Sequence, residues 1–495
     1  MPAPPVHPAG HERMSSVDYA WLRMDRPGNL MQIIGVMIFD GRMDFERLRR
    51  TVVQRLLRYR RFRQIAEAGD GAACWRNDPD FDIDAHLRRA VLPPPGDQAA
   101  LRKFLAGLAS EPLNPARPRW EFILVETAGD SALIARFHHA IADGIALVGV
   151  MDALTDTLPE TAAPPPPAPL PAEEPDFFGS RHLTALTEAA LAPLRTGSAL
   201  WRAYLDLLAD PARIVGHWQT AGSLASELAR LALMTDDTRT RLKGMPGTHK
   251  CVAWSAPISL PEVKAVGRVL GCSVNDMLLA SAAGAFHGYL REKGDAVAAD
   301  SELRALVPVN LRTSADAGEL GNRFGLVALE LPVGIENPLA RLYATRARME
   351  RLKESRQAWL TYGIIGVAGQ LPAPLQNRVL DLLAGKATAV MTNVPGPQGP
   401  RWLAGARLRQ QMFWVPQSGD IGIGVSILSY DGQVQFGLIT DKSLVDDPER
   451  IVARFAKEFE KLLWLVLLEP DERLGDPASV EAAVRETLVG STAAD

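Results

Sequence analysis

The chain has 495 residues, of which 47% are hydrophobic, 23% charged and 6% aromatic. That is a globular composition with length for more than one domain, and it excludes a wholly disordered chain, a collagen-like fibre and a small disulfide scaffold. A formal net charge of -4 excludes a nucleic-acid polyelectrolyte, so no nucleic-acid partner is expected.

Residues 1–14 read as a Pro/His/Gly tail with no apolar signal-peptide core. No apolar run approaches the roughly 18 residues of a spanning helix. Cys74, Cys251 and Cys272 are far apart, and no CxxC or Cys/His pair at zinc spacing occurs. Neither a disulfide framework nor a structural metal is expected, and a reducing compartment is the natural reading.

Residues 31–40 (MQIIGVMIFD) read as a buried strand ending at Gly41. The spacing of Leu48, Val52, Leu56 and Leu57 predicts one amphipathic helix over 45–66. It carries Arg47, Arg49, Arg50, Arg55, Arg58, Arg60, Arg61 and Arg63, as a solvated face or as a patch for anionic headgroups. A helix over 99–110, strands over 120–126 and 131–138 around Gly129-Asp130, and a helix from 144 to about 158 follow.

Residues 160–175 (ETAAPPPPAPLPAEEP) have the composition of a semi-rigid polyproline linker and mark the boundary between two halves. Long helical stretches over 183–241 then carry Trp201, Tyr204 and Trp218. Beyond a strand over 250–258, helices are predicted over 261–270 and 273–293, the second with Ser273 as N-cap and Asp276 three positions on. Strands over 304–309 and 324–331 precede a helical stretch over 337–383, broken near 363–369 and at Pro372 and Pro374. Strands over 388–393, 408–414, 421–430 and 433–439 follow, the last two as a hairpin across Asp431-Gly432. The last helix, 448–468, puts Ile451, Phe455, Phe459, Leu462 and Val466 on one face.

The segment that carries chemistry is His138-His139-Ala140-Ile141-Ala142-Asp143-Gly144, an HHxxxDG pattern between an apolar strand and an apolar helix. It puts an imidazole on a sharp turn, with Asp143 one turn later and Gly144 where the backbone can approach a ligand closely. A zinc site would need further ligands that are missing. With no GxSxG elbow and no thiol motif, a covalent acyl-enzyme is not indicated. An imidazole with a pKa near neutral, taking the proton of a hydroxyl as its oxygen attacks a carbonyl, is the chemistry that fits, with direct transfer onto the acceptor.

HHxxxDG marks the CoA-dependent acyltransferase superfamily, and further segments resemble its bacterial wax ester synthase/diacylglycerol acyltransferase branch. They are Ser15-Ser16-Val17-Asp18 followed by 31–41, Arg117-Pro118-Arg119-Trp120-Glu121, Asn275-Asp276, and Pro308-Val309-Asn310-Leu311-Arg312 with Gly321-Asn322. Thr392-Asn393-Val394-Pro395-Gly396-Pro397, Ser429-Tyr430-Asp431-Gly432 and Asp441 complete the series, in order, over about residues 15–465. Arg119 departs from the family's Leu, and Asn29-Leu30-Met31 stands in place of its Pro-Met pair.

The resemblance implies an α/β fold of two chloramphenicol-acetyltransferase-like lobes, each a mixed sheet flanked by helices. The lobes would occupy 1–159 and 181–495, joined by the Pro-rich linker at 160–180. It implies an O-acyltransferase that moves a long-chain acyl group from acyl-CoA to a fatty alcohol or diacylglycerol in a tunnel between the lobes. Acyl-CoA would be a co-substrate, with no cofactor and no metal.

His139 would be the base, His138 would shape the site, and Asp143 would hold the turn, paired with Arg312. Gly144, Trp120, Asn275, Asp276 and Asn393 are the candidate substrate contacts; Trp120 could equally be core and Asp276 a helix cap. Insoluble substrates imply a cytoplasmic enzyme bound peripherally to a membrane or lipid-droplet surface, through the arginine helix and the aromatics near Trp201. The alternatives are a non-catalytic acyl-chain-binding relative and a condensation-type enzyme acting on carrier-protein thioesters.

Overall fold

Two mixed sheets, each covered by helices, carry the chain. The structure is a computed structural model that describes residues 11–482 except 69–72, 128, 160–236, 313–319, 354, 356, 372 and 418. The Pro-rich linker and the stretch with Trp201, Tyr204 and Trp218 lie outside the described residues.

The N-terminal half contributes β1 (His11–Arg13), β2 (Gln32–Phe39), β3 (Gln64–Ala68), β4 (Ala73–Asn77), β5 (Leu87–Val91), β6 (Trp120–Glu126) and β7 (Ser131–His138). Its helices include α1 (Ser16–Arg23), α2 (Phe45–Thr51), α3 (Gln98–Ala109) and α4 (Gly144–Leu154). Every residue of β2 and β7 is buried. That is why β2 reads as a continuous apolar run; β7, whose 132–137 stretch reads as alternating, is buried on both faces as well. They pair antiparallel with Gln32 opposite His138, which brings the end of the motif strand beside the start of β2.

The C-terminal half supplies β8 (Lys250–Trp254), β9 (Ile258–Ser259), β10 (Leu303–Asn310), β11 (Phe324–Leu331), β12 (Ala389–Pro395), β13 (Trp402–Leu403), β14 (Ala406–Trp414), β15 (Ile423–Tyr430) and β16 (Gln433–Asp441). Seven of these form the second sheet, in the order β11-β10-β12-β15-β16-β8 with β9 also on β16. It is parallel at β10/β12 and β12/β15 and antiparallel elsewhere. Asp431 and Gly432 close the β15–β16 hairpin with φ of 46° and 73°, the two left-handed residues of a type I′ turn. The helix Pro448–Leu468 buries Ile451, Phe455, Phe459 and Leu462 against this sheet, and Phe455 stacks on Phe436 at 4.5 Å.

Four expectations need correction. Residues 45–66 are not one helix: α2 stops at Thr51, a wide π-type turn covers Val52–Leu56, a 3₁₀ turn covers Arg60–Arg63, and β3 follows. The Arg55 side chain is drawn inward to a buried ion pair with Asp156 at 2.8 Å and to the Leu154 carbonyl, while Phe62 is fully buried. Arg49 and Arg61 are also taken, by Asp84 and Glu12, so no continuous arginine face forms. Second, Gly363 and Gly366 lie inside the helix Gln357–Ala368, and the stretch breaks on either side of it, after Lys353 and after Ala368. Third, β8 ends at Trp254 rather than at 258.

Fourth, the halves of the chain are not the halves of the structure. β13 and β14, from beyond residue 400, complete the N-terminal sheet in the order β13-β14-β2-β7-β6-β5. A division at 160–180 therefore separates sequence but not sheets. Among the described residues no single helix is long and apolar enough to cross a membrane.

The helix Gln357–Ala368 lies so close on β11 that a Cβ at Gly325 would stand 1.7 Å from the Ala358 carbonyl oxygen. Gly325→Ala should therefore force the helix off the strand and destabilise the protein by about 1–3 kcal/mol or more, read from chemical denaturation midpoints.

Candidate active site

β7 delivers His138 at its last position, and the chain turns through 139–143 into α4. Asp143 is the N-cap: its Oδ1 accepts the Ala146 N–H at 2.9 Å. Its Oδ2 accepts from the Arg312 guanidinium at 2.5 Å and from the Arg323 N–H at 3.0 Å. The Arg312 guanidinium also donates to the Gly321 carbonyl at 2.6 Å, and Asn310 Oδ1 accepts the Arg312 N–H at 3.0 Å. Both members of the ion pair are buried. The expected Asp143–Arg312 clamp is present, and it ties the N-lobe turn to the loop between β10 and β11.

His139 is held by its backbone from two sides. Its N–H donates to the Met31 carbonyl at 2.7 Å, and its carbonyl accepts from Asn322 Nδ2 at 2.8 Å. Asn322 is in turn fixed by Asp18, whose Oδ1 accepts from its backbone N–H at 3.1 Å and from its side-chain amide at 2.7 Å. The imidazole stacks on Trp21, ring centroids 4.5 Å apart, and leans on Phe324 at 5.5 Å. It is 4% exposed, and Nδ1 has no hydrogen-bond partner. Burial lowers its pKa to about 4, against the nearby Asp143 charge, which favours the protonated form. At neutral pH the ring is uncharged and carries a free lone pair.

His138 faces the other way, as successive residues at a strand end do. Its Nδ1 accepts the Ala140 N–H at 3.1 Å and its Nε2 lies 3.5 Å from Asp25 Oδ2. This assigns the proton to Nε2 and leaves no lone pair for a substrate. Arg119, the departure from the family's Leu, pairs with the same Asp25 oxygen at 3.3 Å, and Asp25 Oδ1 accepts the Met31 N–H at 2.9 Å. Burial works against the Asp25 carboxylate, but His138, Met31 and Arg119 together hold its pKa below the ordinary value.

The other candidates separate. Trp120 is a core side chain: it is 2% exposed, its indole N–H donates to the Phe62 carbonyl at 2.8 Å, and its ring stacks on His86. Asp276 is a cap, accepting from the Ser273 N–H and hydroxyl in a full capping box. Asn275 and Asn393 come together across the helix–strand junction, the Asn393 amide donating to Asn275 Oδ1 at 2.9 Å. Neither shares a hydrogen bond with His139. Gly144 needs no glycine for the protein's own sake: its φ is not left-handed, and an added Cβ would meet only Val415, at 3.9 Å. Any need for it comes from what enters the site.

Asp25, Trp21, Asn322 and Phe324 were not read as site residues. Gly321-Asn322 and Ser15–Asp18 stood out only as family-like segments, and nothing local marks the other three. Among the described residues, no group of three His, Cys, Asp or Glu side chains could hold a metal.

Two lobes meeting at an HHxxxDG turn, with an uncharged histidine and a clamped aspartate, have the arrangement of an acyltransferase. The comparisons name the branch. The wax ester synthase/diacylglycerol acyltransferase catalytic domain matches residues 14–278, and the C-terminal domain of the same family matches 320–463. A probable diacylglycerol O-acyltransferase of Mycobacterium tuberculosis is 31% identical over 385 residues, 76% of this chain and 78% of that relative. A second from the same species is 28% identical over 412 residues, 80% and 85% of the two chains. The wax ester synthase/diacylglycerol acyltransferase of Marinobacter aquaeolei VT8 shares the fold with a TM-score of 0.65 at 20% identity, over 92% of this chain and all of that one. A starter condensation domain of rhizomide synthetase, solved with C8-CoA and Leu-SNAC, aligns at 0.55 and 15% identity over 94% and 96%. The chain belongs to the wax ester synthase/diacylglycerol acyltransferase family and is an acyltransferase.

Asp143→Asn keeps the shape but removes the charge opposite Arg312. It should lower the melting temperature and the activity together, by up to about 3–5 kcal/mol of stability, the range for breaking a buried pair. Lost activity with an unchanged melting temperature would instead point to a direct chemical role.

Proposed function

We propose that this enzyme moves a long-chain acyl group from acyl-CoA directly to the hydroxyl of a fatty alcohol or a diacylglycerol, with His139 as general base. The observation that carries the reading is the buried imidazole of His139, uncharged and oriented through its backbone. The family and its diacylglycerol O-acyltransferase relatives support the substrate class. The acceptor oxygen attacks the thioester carbonyl while the imidazole takes its proton. The C–S bond then breaks, and the CoA thiolate leaves with the proton from the imidazolium. The Asp143 charge favours the imidazolium without contact, and Trp21 and Phe324 keep water from the same space.

A relative that only binds acyl chains would have no use for this base. An enzyme of the carrier-protein type would release no free CoA. Purified protein given acyl-CoA and hexadecanol or diacylglycerol should release CoA with ester formed in equal amount; binding without release would favour the non-catalytic reading.

His139→Ala should lower kcat/KM by about 10²–10⁴, and His138→Ala by less. With a pKa of about 4 in the fold against an ordinary 6.5, the acid limb of kcat/KM should lie well below pH 6.5. The unfolded chain takes the proton first, so this group's contribution to stability is present above pH 6.5 and lost as the pH falls towards 4. A limb near 6.5 in kcat/KM would contradict the buried-base assignment.

We also propose that the enzyme meets its insoluble substrates at a membrane or lipid-droplet surface from the cytoplasmic side. The support is the end of the helix Pro448–Leu468, where Trp464, Leu467 and Leu468 are 57%, 63% and 73% exposed. Lys457 and Lys461 precede them on the same face, Lys461 paired with Glu458 at 2.6 Å. Exposed aromatic and aliphatic groups at one helix end suit a bilayer interface. Trp464→Ser/Leu468→Ser should reduce sedimentation with anionic vesicles while leaving turnover of a micellar short-chain substrate unchanged; equal sedimentation would remove this helix from the reading.

A further inference from the structure

The loop that precedes β2 does more than connect. Asp25 pairs with His138 and Arg119, and Met31 receives the His139 N–H, so residues 25–31 orient both histidines of the motif. What orients the loop comes from the other sheet. Lys250, the first residue of β8, is buried and sends its ammonium to three acceptors. These are Asp441 Oδ2 at 3.0 Å, the Gly28 carbonyl at 2.6 Å and Asn29 Oδ1 at 3.3 Å. The Asn29 amide then donates to the Gly419 carbonyl at 2.7 Å and the Ile421 carbonyl at 3.4 Å.

Lys250 and Asp441 are register partners across β8 and β16, and their side chains are only 4% and 0% exposed. The Asp441 carboxylate is itself held by the Ser443 N–H at 3.0 Å and the Ser443 hydroxyl at 2.5 Å. An ammonium has three donors, and here each has one acceptor, so its direction is fixed. A buried ion pair is a poor device for stability alone, because well-packed apolar residues commonly do as well. Two of the three bonds go to a loop of the opposite lobe. We propose that Lys250 is a positioning residue for acyl transfer: locked by Asp441, it holds the Gly28–Asn29 turn, and through that turn the Asp25 carboxylate and the Met31 carbonyl that set His138 and His139. This rests on His139 being the base.

The test is steady-state kinetics on the full chain, at a temperature below the lowest melting point of the set. The variants are Lys250→Met, Lys250→Met/Asp441→Leu, Lys250→Arg and Lys250→Met/Asp25→Asn, with Asp25→Asn and His139→Ala as references. Lys250→Met should lower kcat between about 10-fold and 10²-fold, as expected for a small displacement of reacting groups, with KM for acyl-CoA and alcohol within about twofold. Replacing Asp441 as well should recover melting temperature, because no carboxylate is left buried alone, but should not recover kcat. Lys250→Arg, which keeps the charge, should recover part of kcat. Because Lys250 acts through Asp25, Lys250→Met/Asp25→Asn should be no slower than the slower single variant.

A Lys250→Met/Asp441→Leu variant with near-normal kcat overturns the proposal, as do independent multiplicative losses for Lys250 and Asp25. If Lys250→Met/Asp441→Leu stays unstable, the Lys250–Asp25 coupling decides. The reading of His139 fails separately, on a His139→Ala enzyme that still turns over.

Discussion

The carboxylate of Asp143 is the point on which the site depends. It closes the first turn of α4 and, with its other oxygen, takes a guanidinium and a backbone N–H from the loop between β10 and β11. One buried group thus ends a strand–turn–helix unit and joins it to the second sheet. The two demands reinforce each other. The cap needs an acceptor at the helix start, and the charge so placed would be costly unless a cation from elsewhere compensated it. Because all its strong partners are structural, the carboxylate reaches the imidazole of His139 only as a field.

The adjacent histidines divide the work because a strand end sends neighbouring side chains to opposite faces. His138 points towards Asp25: its Nδ1 takes the Ala140 N–H, and its Nε2 stands 3.5 Å from the carboxylate. His139 packs against the aromatic pair Trp21 and Phe324, whose rings stack on each other at 5.6 Å, and no hydrogen-bond partner meets its Nδ1. This packing does two things at once. It strips the ring of water, which keeps it uncharged at neutral pH, and on the proposed reading it would shield a thioester from hydrolysis. Orientation of the ring then falls to the backbone, through Met31 on one side and Asn322 on the other.

How much of this was legible depends on how local its cause is. β6, β7 and the helix Pro448–Leu468 could be read to the residue, because hydrophobic pattern and flanking turns lie within each segment. The HHxxxDG turn, the capping box at Ser273 and the type I′ turn at Asp431-Gly432 are legible for the same reason. The break in 45–66 was not, because its cause, the pull of Arg55 towards Asp156 and Leu154, spans a hundred positions. Trp120 and Asp276 sit in segments that resemble substrate-contact motifs, yet their side chains are consumed by Phe62 and Ser273.

By itself, then, the order of residues determined most of the secondary elements and the HHxxxDG turn, since each rests on short-range periodicity, capping chemistry or a motif of fixed spacing. Tertiary structure alone decided that β14 crosses to complete the first sheet. It decided that Trp21 and Phe324 pack on His139, and that Asp25 and Lys250 hold the turn between them. Those contacts join groups that lie far apart in the chain and have no pattern in common, and only the closing of two sheets against each other brings them within hydrogen-bonding and packing distance.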